Sequence, residues 1–125
     1  AAVVAEGATV RTAADTAWMP DVYGWRGSVQ GWLDAVQFGI TDLLTDAPRP
    51  DSLAAAAAAA SPRPILLIAA SEVADEPDAA NHIAARAGGN VSVWVVAGSG
   101  HTDGLEVAPA EWERHVIAFL DDALA

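Results

Sequence analysis

The 125-residue chain has no cysteine and no lysine, and its six basic residues are all arginine. Without cysteine there is no disulfide framework, no thiolate metal site and no thiol nucleophile. Without lysine there is no Schiff-base chemistry and no phosphate-loop lysine. Against six arginines stand 17 acidic residues, a formal net charge of −11. A chain so acidic is repelled by nucleic acid and by anionic membrane surfaces. Long apolar runs are also lacking. The 53% hydrophobic content is inflated by 30 alanines, and no run of about 18 strongly apolar residues exists, so no membrane-spanning helix is expected. The first residues carry no basic segment of a signal peptide, and the lack of cysteine leaves the compartment open.

What remains is patterned. Val3-Val4-Ala5 is a short apolar run ending at Glu6-Gly7, which fits a buried strand and a turn. Residues 8–30 carry Pro20, Gly24 and Gly27 and read as irregular. From Gly31 to Asp46 the apolar positions Trp32, Val36, Ile40 and Leu43 recur at helical spacing, and Pro48 and Pro50 end the pattern. Asp51 to Ala60 reads as an alanine-rich helix capped by Asp51 or Ser52 and closed by Ser61-Pro62.

Pro64 to Ala70 is continuously apolar, as a strand buried on both faces of a parallel sheet must be. Glu76 to Ala87 reads as a helix, with Pro77 in its first turn and Gly88-Gly89 after its end. Val91 to Ala97 is a second buried β-branched strand, and Pro109 to Leu124 a terminal amphipathic helix. Residues 61–125 therefore predict a βαβα unit with a right-handed crossover, in an α/β fold whose parallel sheet has flanking helices. Three strands and about four helices make a poor free-standing parallel sheet. The expectation is a portion of a domain roughly twice as long, without a cooperative unfolding transition of its own.

In open α/β sheets the reactive groups gather at the carboxyl ends of the strands. One such end carries Ser71-Glu72-Val73-Ala74-Asp75-Glu76, and another carries Gly98-Ser99-Gly100-His101-Thr102-Asp103. An acid and a histidine on one sheet edge suit an oriented general base. The glycines around Ser99 turn the chain sharply off a buried strand and favour a functional His101. Asp75 has an ordinary alternative role as a helix cap. His82 and His115 lie inside helices without partners and read as surface or boundary residues. A metal held by Asp75, His101 and Asp103 lacks ligand spacing, and no cofactor is implied. None of the serines at 28, 52, 61, 71, 92 and 99 sits in the strained G-x-S-x-G turn, so no nucleophile is identified. Trp18, Trp25 and Trp32 recur every seven residues. They read as packing onto the core or as an apolar lid over a substrate pocket.

Three stretches together carry a resemblance: Arg63 to Ala70, Val93-Trp94-Val95-Val96-Ala97-Gly98-Ser99-Gly100-His101-Thr102, and Pro109-Ala110-Glu111-Trp112-Glu113-Arg114 with Phe119-Leu120. The chain resembles the C-terminal half of the α/β-hydrolase fold, and looks most like dienelactone-hydrolase and serine-peptidase-like bacterial members. Val3 to Ala8 then looks like the strand after the nucleophile turn, and residues 8–60 like a cap-like insertion. The resemblance implies a serine hydrolase acting on a small-molecule ester, lactone or amide. It implies His101 as the catalytic histidine and Asp75 as the acid, with Glu72 and Glu76 as alternatives in the same loop. The serine and oxyanion loop would belong to a missing N-terminal half of the fold. A non-catalytic binding or scaffold relative is the competing expectation.

Overall fold

A computed structural model describes residues 1–125. Strands β1 (Val3–Glu6), β2 (Ile65–Ala70) and β3 (Val91–Val96) form one parallel sheet in the order β1-β2-β3. Val3 pairs with Ile65, which pairs in turn with Val91. Six helices surround it: α1 (Met19–Tyr23), α2 (Trp25–Leu44), α3 (Leu53–Ala59), α4 (Asp75–Arg86), α5 (Gly104–Val107) and α6 (Pro109–Leu124). No helix is long and apolar enough to cross a membrane.

The central strand explains the layering. Every residue of Ile65-Leu66-Leu67-Ile68-Ala69-Ala70 is buried, because helices cover both of its faces. Ile65, Leu67 and Ala69 point to one side and pack with Ala57 of α3 and Ala80 and Ile83 of α4. Leu66 and Ile68 point to the other and pack with Val96 and Val116 of α6. Continuous apolarity was the right signal for β2. It misled for β3, which lies at the sheet edge and leaves Val95 exposed.

Residues 8–30 are more regular than their glycines and proline suggest. A short 3-10 turn spans Ala13–Thr16, α1 follows, and α2 starts at Trp25, six residues before the predicted Gly31. Gly27 is why the helix runs through: a Cβ there would overlap the Met19 carbonyl, so glycine lets α1 and α2 close on each other. Buried Asp15 anchors this region. Its Oδ2 accepts from the backbone N–H of Arg11 and Thr12, and its Oδ1 from the N–H of Leu53, 38 residues away. Ser52 caps α3 by accepting from the Ala55 N–H at 3.2 Å.

Candidate functional site

All three strands deliver chemistry at their carboxyl ends. Behind β2 the chain turns into α4, and Glu76 lies in its first turn, where the helix dipole favours negative charge. Glu76 is only 1% exposed. A buried carboxylate is costly unless its oxygens are partnered, and both of these are. Oε2 accepts from the Ala70 N–H at 2.8 Å, and Oε1 is paired with Nδ1 of His101.

His101 stands behind β3, and its side chain is 61% exposed despite the pairing. With Nδ1–H donated to Glu76, the neutral imidazole carries its lone pair on Nε2. The loop bearing it is stitched to the loop after β2. The Gly98 N–H donates to Ser71 Oγ at 2.8 Å, and the Glu72 N–H donates to the Ser99 carbonyl at 3.0 Å. Thr102 adopts a left-handed φ of 60°, rare for a residue with a β-carbon, directly after His101.

The end of β1, not recognised as a site element in the sequence, completes the support. Gly7 has a φ of +71°, and a Cβ there would lie 2.7 Å from Cε1 of His101. Only glycine lets the imidazole rest on this strand end. One residue earlier, Glu6 Oε1 accepts from the Gly104 N–H at 2.8 Å and Oε2 from Trp112 Nε1–H at 3.2 Å. Glu6 thereby fastens α5, α6 and the histidine loop to β1 across about a hundred residues of sequence. The available signal was an acidic residue directly after an apolar run and directly before a glycine, the same strand-end position as the other two.

The other sequence-predicted residues separate. Asp75, the acid first assigned to His101, instead accepts from the Tyr23 hydroxyl at 2.7 Å. Neighbouring positions on a helix point about 100° apart, so α4 turns Glu76 to the histidine and Asp75 away from it, to Tyr23. Asp75, by hydrogen bond and by charge, together with partial burial and Asp78, raises the Tyr23 hydroxyl above its ordinary value. Glu72 is exposed, with Ser71 Oγ at 3.5 Å as its side-chain partner. Ser99 is buried and donates its hydroxyl to the Val96 carbonyl at 2.9 Å, so it is a loop brace. No hydroxyl side chain hydrogen-bonds to His101, and no three His, Asp or Glu residues gather as metal ligands.

Two further histidines differ in placement. His82 is buried, not at the surface or boundary as expected; Arg86 Nη1 lies 2.9 Å from its Nδ1. Burial first, and the Arg86 charge second, lower its pKa below the ordinary value. His115 sits at the boundary, edge-on to Trp94 with ring centres 4.1 Å apart.

Of the three tryptophans, only Trp18 packs inward, at 7% exposed; Trp25 and Trp32 are 73% and 65% exposed. Trp18 lines a cleft of about 860 Å³ between α1, α2 and the start of α4, with Tyr23, Phe38, Val73 and Asp75. The histidine is not among its lining residues.

Comparison of the chain with protein-family models, curated proteins and solved structures returns no match.

Proposed function

We propose that the chain supplies the acid–base half of a hydrolase acting on an ester, lactone or amide. The observation that supports it most is the Glu76–His101 pair: a buried, fully partnered carboxylate on Nδ1 of a histidine whose ring stays open to solvent. A carboxylate there holds the tautomer and stabilises the imidazolium that forms. His101 Nε2 takes the proton of an attacking hydroxyl as that oxygen bonds to the substrate carbonyl. The same proton then passes to the leaving oxygen or nitrogen, and water repeats the sequence to release the acid. The order acid then histidine agrees with the α/β-hydrolase order of serine, acid, histidine, and glutamate serves as the acid in that arrangement. On this reading the attacking hydroxyl belongs to a segment that pairs with the outer edge of β1. A non-catalytic binding relative of the same fold is the second reading, favoured by the absence of a hydroxyl bonded to His101 among these residues.

The test extends the chain with the residues encoded before Ala1 and follows hydrolysis of p-nitrophenyl esters. His101→Ala and Glu76→Gln should each lower turnover by roughly 10²–10⁴-fold, and Asp75→Asn should lower it far less. Undiminished turnover in His101→Ala overturns the assignment.

A further inference from the structure

An unexplained polar atom is buried in the wall of the cleft between α1, α2 and α4. Trp18 is buried in its wall, and its indole Nε1–H has no hydrogen-bond partner. The Trp112 indole does find one: its Nε1–H donates to Glu6. An indole N–H is only ever a donor, so what Trp18 lacks is an acceptor.

The charged groups around the cleft narrow what that acceptor belongs to. Asp75 already accepts from Tyr23, and Asp34 accepts from the Gln30 amide at 2.8 Å. Arg26 is the one cation in the lining, and its guanidinium lies 5.7 Å over the exposed Trp25 ring. Two carboxylates against one guanidinium leave the cleft acidic inside a molecule of charge −11, which disfavours an anionic ligand. An ammonium brings donors and no acceptor, and leaves the indole unsatisfied. What fits both constraints is an uncharged molecule with an acceptor oxygen, and a carbonyl has no competing donor to leave unpaired. The rings of Trp18, Tyr23 and Phe38 and the side chain of Val73 supply apolar surface for its body.

We propose that this cleft binds a neutral, carbonyl-bearing apolar ligand, its oxygen accepting from Trp18 Nε1–H after a small rotation of the ring. Resting on the hydrolase reading, the cleft takes the apolar side of an uncharged acyl substrate.

Three probes share an aromatic body and differ in head group: 4-phenylbutan-2-one, 4-phenylbutanoate and 4-phenylbutylamine. The ketone has no bond to hydrolyse, so binding is read apart from turnover. Indole N–H resonances are followed in ¹⁵N–¹H spectra of the 125-residue chain, with Trp18 assigned through Trp18→Phe. The ketone should shift the Trp18 N–H saturably downfield. The carboxylate and the amine should bind about tenfold weaker or worse. Trp18→Phe keeps an aromatic, though smaller, ring and loses the donor, and should weaken the ketone by about fivefold. Val73→Arg, a loop substitution that obstructs the cleft without entering the core, should abolish the shift in a chain with unchanged circular dichroism. No saturable Trp18 shift, or an amine that binds more tightly than the ketone, overturns the proposal. His101→Ala should leave ketone binding unchanged. Binding in a protein that fails to hydrolyse esters removes the catalytic reading alone, and hydrolysis without a Trp18 shift removes the cleft assignment alone.

Discussion

A glutamate withdrawn from water needs a partner on each oxygen, and Glu76 has the Ala70 amide on one and His101 on the other. Asp75, one residue away, spends its hydrogen bond on Tyr23. The difference is measurable at single side chains. In ¹⁵N spectra of the neutral imidazole, His101 should carry its proton on Nδ1. Glu76→Gln should shift that population toward the mixed tautomers of a free imidazole, and Asp75→Asn should leave it in place. Asp75 is also the main cause of the raised Tyr23 hydroxyl. Because the chain has one tyrosine, absorbance at the tyrosinate band titrates it without ambiguity. Asp75→Asn should move the midpoint down toward the ordinary value near 10. His82 works in the opposite direction from an ion-paired histidine. Its folded pKa lies below the ordinary ~6.5, so the folded state binds fewer protons than the unfolded chain there. Its contribution to stability is complete above about pH 6.5 and is lost as pH falls toward the folded value, by at most about 1.4 kcal/mol per pH unit for one proton. Hydrogen-exchange protection of the α4 amides, corrected for intrinsic rates and followed from pH 7 to 5, should therefore fall less in His82→Asn, which keeps an acceptor for Arg86.

Between elements, the histidine loop depends on β1. Glu6→Ala leaves the Gly104 and Trp112 N–H donors without their acceptor. Each orphaned donor costs about 1–3 kcal/mol when shut from water, discounted here because the region is only part-buried. Faster hydrogen exchange at the Gly104 amide and the Trp112 indole N–H, with broadening of the His101 resonances, is expected. A Glu6→Ala chain with unchanged exchange at both groups would remove the clamp from the account. How far the sequence reaches is clearest at this scale. The βαβα unit was legible because β2 is apolar at every position and α6 is striped, and both patterns come from local spacing. The α2 start was not, because Gly24 and Gly27 carry breaker propensity while tertiary contact with Met19 selects glycine at position 27. The choice among Glu72, Asp75 and Glu76 was illegible for a related reason. It depends on which side of a helix start faces β3, an angle of about 100° per residue that composition does not encode. Glu6 was missed because its partners lie 98 and 106 positions away.

For the molecule as a whole, the core is thin. Twenty-two of the 125 residues are buried, and many of those are alanine, so little apolar surface offsets the entropy of ordering the chain. Helix α2 adds to this by turning Trp25, Trp32, Ile40 and Leu43 to solvent while Gln30 and Asp34 line the cleft. A hydrophobic dye should bind the chain strongly, and Trp32→Glu should reduce that signal; weak dye binding would contradict the exposed stripe. The lack of cysteine and lysine excludes thiol and amine nucleophiles from these residues. The hydrolase assignment is tested most directly by ester turnover in the chain extended N-terminally from Ala1, compared among wild type, His101→Ala, Glu76→Gln and Asp75→Asn. The account predicts a fall of roughly 10²–10⁴-fold in the first two variants and near wild-type turnover in the third. Full activity in His101→Ala, or loss in Asp75→Asn with none in Glu76→Gln, would contradict it.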